Sequence, residues 1–271
     1  EQKSSLSNSD AAGQKQRQPH IICSAIEHHA VLESCKFAES LGARVSRIPV
    51  DSEGFLDLEA LEQAITEDTV LISVMAANNE MGTIQDLQAI GEIAKKHGVL
   101  FHTDAVQAFG AVPVNFRNSG VDTMAISGHK IGGPMGIGAL IATRTAQLTP
   151  VLHGGGQERS VRSGTIDAPA IAGFAEAAAH VIEHLEEESI RIAALRNELI
   201  AAVQAVIPQA HLSGIDPTTE AFPGEKRLPA NAHFTFEGAE GDTILFLLDM
   251  QGIQTSTGSA CNAGVTRPSH V

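Results

Sequence analysis

The chain has no tryptophan and no tyrosine, and ten phenylalanines make up its whole Phe, Trp and Tyr content. A phenol is therefore excluded as acid, base or hydrogen-bond partner in any site built from this chain alone. Such groups must come from His, Lys, Asp, Glu, Cys, Asn, Gln, Ser or Thr. Cysteine is scarce: Cys23, Cys35 and Cys261 are the only three, with no CxxC pair among them. That excludes a disulfide framework and fits a reducing, cytoplasmic compartment. Positive charge is short as well. Eighteen Lys and Arg against 32 Asp and Glu leave a formal net charge of -14. The basic footprint that phosphates of nucleic acid require is missing, so no nucleic-acid partner is expected. No apolar run approaches bilayer length, and the polar N-terminal stretch lacks the apolar core of a signal peptide, so no membrane association is expected. Twelve histidines are present, yet none fall into HExxH or zinc-type Cys/His spacing, and no metal site is expected.

What is present is a large apolar fraction, 43% of 271 residues, enough to build a sizeable core in one compact unit or two lobes. Residues 1–18 are polar and aperiodic and read as a loop or frayed end. Apolar strands then alternate with amphipathic helices. Strands are expected at 21–25, 45–50, 70–75, 99–102, 122–127 and 138–143, and helices at 28–41, 57–66 and 86–97. Continuous apolar strands between helices indicate an α/β architecture with a mostly parallel sheet, covered on both faces. Ligands of such sheets bind outside the carboxyl ends of the strands. Residues 168–206 are helical in pattern but too long for one helix, and Glu186-Glu187-Glu188 marks an expected break. The large domain is expected over 19–186. A smaller α+β lobe is expected over 187–271, with a loop at 208–230, a strand at 232–236, a helix at 241–251 and a strand at 253–256.

The most distinctive run is Ser127-Gly128-His129-Lys130-Ile131-Gly132-Gly133-Pro134-Met135-Gly136, just past an apolar strand. A solvated lysine in a glycine turn is one reading of Lys130. A phosphate-binding loop is another, but the run lacks the Gly-Lys-Ser/Thr ending, and Gly136-Ile137-Gly138 lacks the third glycine of a dinucleotide fingerprint. A lysine that forms a Schiff base must be desolvated and held where a planar cofactor can approach the backbone closely. Upstream, Phe101-His102-Thr103-Asp104-Ala105-Val106-Gln107 places a carboxylate at the end of a second apolar strand. A lysine and an acid in that relation suit pyridoxal 5'-phosphate (PLP), whose ring nitrogen needs an acidic partner. Asp104 also suits a helix cap before Ala105.

With five further runs the chain resembles the cysteine desulfurases of the class V aminotransferase group. They are Glu27-His28-His29-Ala30-Val31-Leu32, Asn78-Asn79-Glu80-Met81-Gly82, His153-Gly154-Gly155-Gly156-Gln157-Glu158-Arg159, Arg162-Ser163-Gly164-Thr165 and Ser256-Thr257-Gly258-Ser259-Ala260-Cys261. The resemblance covers residues from about 20 to 271 and implies a PLP-dependent transferase of fold type I. It implies that Lys130 binds the cofactor and then serves as the base. Asp104 would face the pyridinium nitrogen, with Gln107 and Asn79 near the ring oxygen and His28 stacked on the ring. Ser127 and His129 would contact the phosphate, as would Thr165 from the neighbouring subunit of a homodimer. Cys261, in a small, polar loop, would carry sulfur from L-cysteine as a persulfide and pass it to an acceptor protein, for iron–sulfur cluster or other sulfur-compound biosynthesis. Cys23 and Cys35, in apolar settings, read as structural. The family's opening Gly-Ala-Thr-Glu-like turn and its later carboxylate-binding arginine have no counterpart here, so the chain reads as an internal fragment or a shortened product. Two other readings stay open: a selenocysteine lyase or other β-eliminating enzyme, and a truncated, inactive PLP-binding or partner-binding protein.

Overall fold

A computed structural model describes residues 17–258 and 269–271. Cys261 and nearly all of the polar N-terminal stretch lie outside the described residues. Six short strands form the central sheet: β1 (His20–Ser24), β2 (Arg44–Ile48), β3 (Thr69–Ser73), β4 (Leu100–Asp104), β5 (Thr123–Ser127) and β6 (Gly138–Ala142). Their spatial order is β2-β1-β3-β4-β5-β6. The first five run parallel, while β6 pairs antiparallel to β5, with Ile126 opposite Ala139. Chain length explains that reversal. Only residues 128–137 connect β5 to β6, too few for the crossover that a parallel neighbour needs.

The helices that make the other crossovers are short and capped. Helix α1 (His29–Ser40) starts at His28, α2 (Leu58–Ala64) at Asp57, and α3 (Leu87–His97) at Asp86, and each cap side chain accepts a first-turn N–H. Helix α3 buries Ile90, Gly91 and Ala94. A β-carbon on Gly91 would come within 2.8 Å of the Ser119 carbonyl oxygen, so the close packing there requires glycine. The main core joins Ile22, Leu61, Ile72, Ile90, Phe101 and Met124. Across the sheet, Cys23, Leu32 and Cys35 form a smaller apolar cluster between β1 and α1.

The sheet order has a switch point. From β1 the chain steps outward to β2, then returns to place β3 on the opposite side of β1. The segments leaving β1 and β3 therefore diverge and open a crevice above their carboxyl ends. That crevice fixes the location of the site.

Residues 168–206 fold as two helices, α4 (Ala168–Glu183) and α5 (Leu185–Val206). The break falls at His184, ahead of the expected glutamate run. Those glutamates instead fill the first turn of α5, where negative charge suits the helix dipole. Residue 187, the expected start of the smaller lobe, thus lies inside that first turn. The expected loop at 208–230 contains β7 (Ala210–Leu212), which pairs antiparallel with β8 (Phe234–Phe236). Helix α6 (Gly241–Asp249) follows. No strand forms at 253–256. The segment around Arg227 ties this region to the segment after β3. Arg227 is fully buried and donates to the carbonyls of Ser213, Ile215 and Asn231 and to the Asn231 side chain. Asn231 in turn donates to the Glu80 carbonyl at 2.7 Å, and Arg227 bridges Thr83.

Candidate active site

The crevice holds a cavity of about 370 Å³ lined by His28, Met75, Asn79, Asp104, Gln107, Ser127, His129 and Lys130, with Ser256 and Gly258 at its rim. Each strand end contributes. The turn after β1 presents His28. Its Nδ1 accepts the Ala30 N–H at 3.1 Å, so in the neutral ring the hydrogen sits on Nε2. The segment after β3 carries Met75 and Asn79. Its shape is set by Asn78, which is buried, donates to the Ile26 carbonyl and accepts from the N–H groups of Glu80 and Met81.

The end of β4 supplies Asp104. Its Oδ1 accepts the Val106 N–H at 2.9 Å, and its carbonyl accepts from Ala76 at 2.8 Å. The sequence suggests a helix from Ala105; the structure has a turn instead, closed by Gly110 in the left-handed region at φ 80°. A β-carbon on Gly110 would come within 2.8 Å of the Ile131 side chain. The turn therefore packs directly beneath the lysine loop. Asp104 caps that turn while its side chain lines the cavity.

The connector from β5 to β6 begins with a single 3-10 turn, Gly128–Ile131. Gly132, left-handed at φ 77°, ends it. Ser127 and His129 join through Oγ and Nδ1 at 2.7 Å. Lys130 and His129 are exposed at the cavity wall. Thr165 is exposed and does not line the cavity. Cys261 lies outside the described residues. Ser256 and Gly258, which precede it in the chain, reach the cavity rim.

Beneath the cavity lies Glu27, to which the sequence assigned no role. It is fully buried. Its Oε1 accepts the Ser24 hydroxyl at 2.6 Å and the Met75 N–H at 2.7 Å, while Oε2 has no partner among the described residues. Burial pushes its carboxyl up to about 8; those two hydrogen bonds oppose the rise, and the negative charge of Asp104 adds to it. His102, two residues before Asp104, donates to or accepts from Thr123 at 2.8 Å, and burial lowers its pKa.

The cavity gathers a primary amine, a carboxylate, two amides, two imidazoles and two hydroxyls. A family comparison identifies what shares this arrangement. The whole span of residues 5–271 matches the aminotransferase class-V family. The chain belongs to that family. It is 44% identical over 252 residues to cysteine desulfurase IscS of Dictyoglomus turgidum, covering 93% of this chain and 62% of that protein. It is 42% identical to cysteine desulfurase NifS of Azotobacter vinelandii, covering 93% and 60%. The chain spans about three fifths of the length of these curated relatives. Among solved structures, a NifS-like protein superposes with a TM-score of 0.82 at 39% identity, over 90% of this chain and 64% of that one. A NifS-like protein from Rickettsia africae gives 0.80 at 36%, over 92% and 67%. The α/β fold with its mostly parallel sheet is theirs. Class V membership implies a PLP cofactor, and the donor set and size of the cavity fit that group.

Proposed function

We propose that this chain forms the cofactor site and sulfur-carrying loop of a cysteine desulfurase, acting on L-cysteine. The observation that carries the reading is the convergence of His28, Asp104 and Lys130 from three different strand ends on one cavity. PLP bound there supplies an electron sink for the charge left when the substrate Cα loses its proton. Lys130 would hold the cofactor through its amine and would hold the proton taken from the substrate Cα. Asp104 keeps the ring nitrogen protonated. Its backbone amide ties fix its direction. His28 would lie against the cofactor, and Gln107 and Asn79 would donate to its ring oxygen, a task open to amides in a chain without tyrosine. Ser127 and His129 hold the phosphate, joined by Thr165 from the second subunit of a homodimer. The exposure of Thr165 away from its own cavity supports that assignment.

Cys261 takes the sulfur. Its thiolate attacks the sulfur of the bound cysteine, the Cβ–S bond breaks, and the products are L-alanine and a persulfide on Cys261. An acceptor protein then receives that sulfur for iron–sulfur cluster or other sulfur-compound biosynthesis. The test is spectroscopic. Protein lacking Trp and Tyr absorbs little in the near ultraviolet, so added PLP should give a dominant visible band. Lys130→Ala should abolish that band; a band of equal strength in the variant would refute the reading.

A further inference from the structure

Glu27 stands directly before His28 in the turn that leaves β1. That turn must hold the histidine over the cavity, yet none of its backbone is fixed by strand pairing beyond Ser24. The buried carboxyl of Glu27 fixes it from the side-chain side, alongside the Asn78 amide that holds the Ile26 carbonyl. One oxygen, Oε1, gathers a donor from the strand behind it, Ser24, and a donor from the neighbouring segment after β3, Met75. Ala76, next along that segment, donates to Asp104. The three walls of the cavity are thus joined in series: the His28 turn to Met75 through Glu27, and the Met75 segment to Asp104 through Ala76. The backbone carbonyl of Glu27 is also engaged, by His270 Nε2 at 2.9 Å.

We propose that Glu27 is a positioning residue for His28, its side chain clamping the histidine turn to the end of β3. This rests on the reading of the cavity as a PLP site, since only there does the placement of His28 matter to chemistry. The clamp works as a neutral acid. Among the described residues no cation pairs with Glu27. The titratable groups around it are Asp104 from β4, Cys35 from α1 and Cys23 from β1, with His270 on its backbone carbonyl; Asp104 and Cys35 both disfavour a second negative charge. Only one oxygen is needed as an acceptor, and it receives both hydrogen bonds. A glutamine can reproduce that arrangement, because its amide carbonyl accepts in place of Oε1. An alanine cannot.

The experiment reads the ring of His28 by nuclear magnetic resonance, its signal assigned by loss in His28→Gln, first without PLP and then with PLP added. In Glu27→Gln the His28 signal and the visible PLP band should match those of the parent. In Glu27→Ala the His28 signal should move while that of exposed His211, in β7, stays in place. An unmoved His28 signal in Glu27→Ala overturns the proposal. So does movement of every histidine signal together, which would mean general loss of structure. A Glu27→Gln protein that behaves like Glu27→Ala overturns the neutral clamp. A parent protein that gives no band with PLP, but whose His28 signal still responds to Glu27→Ala, sinks the cofactor reading and keeps the clamp.

Discussion

At the scale of single residues, Glu27 ties stability to pH. Its carboxyl is raised from the ordinary 4.5 to about 8 in the folded chain. The folded state therefore holds a proton that the unfolded state has released across that interval. The sign follows from linkage: the associated stability is fully present below pH 4.5 and is lost as pH rises through about 8. Unfolding free energies from urea titrations should fall over that window by an amount on the order of a few kcal/mol. Glu27→Gln should flatten this part of the profile, and an unchanged slope would show that the group is ionised in the fold. Cys261 poses a chemical test. Cys261→Ser should keep the PLP band, because the residues proposed to hold the cofactor lie elsewhere in the chain, yet release no sulfide from L-cysteine. Full sulfide release from that variant would point to plain elimination.

The residues of the cavity were legible to different degrees. Lys130 and Asp104 announce themselves because amine and carboxylate chemistry needs rigid strand ends, and apolar runs mark those ends in the sequence. Glu27 gave no such signal. Its role depends on what β3 places beside it, and nothing local to Glu27-His28-His29 encodes the position of Met75.

At the scale of elements, packing decided what propensity left open. The run after Asp104 begins as a helix would, but Gly110 and the lysine loop packed against it leave room only for a turn. Residues 253–256 have a strand-like pattern, but the small sheet contains only β7 and β8. A strand persists only where a neighbour takes its backbone hydrogen bonds. Residues that pack closely are correspondingly intolerant. Gly91→Ala should cost about 1–3 kcal/mol in denaturant titrations, because its β-carbon meets backbone rather than a side chain that could turn away. Cys23 and Cys35 sit in an apolar cluster. Cys23→Ser and Cys35→Ser should lower stability by about 1–3 kcal/mol through burial of a hydroxyl, with turnover less affected.

At the scale of the whole molecule, backbone pairing of residues 226–228 with 82–84 welds the later part of the chain to the sheet region, and Arg227 organises that seam. Burial lowers its pKa to about 10, and its remaining partner charges are the nearby Arg196, Glu220 and Asp216. Four acceptor atoms from two segments, 213–215 and Asn231, converge on this one guanidinium. Arg227→Ala would strand those oxygens in the interior and should destabilise the fold by about 3–5 kcal/mol. Arg227→Lys should recover little, because an ammonium lacks the planar fork. With the weld intact, thermal unfolding followed by circular dichroism should be a single transition, and two resolved transitions would show that the regions fold independently.

The hairpin that carries Lys130 has a bearing on how the molecule assembles. Ile126 meets Ala139 across a short connector, whereas Cys23 meets Ser73 only after two helices and a strand have been threaded between them. Loop closure over the shorter span loses less chain entropy, so local pairings of this kind form ahead of distant ones. The lysine therefore belongs to an early-forming unit, and the histidine opposite it to a later one. The cavity between them comes into being only when the chain has closed its longest loops, which makes a complete site a mark of a fully folded molecule.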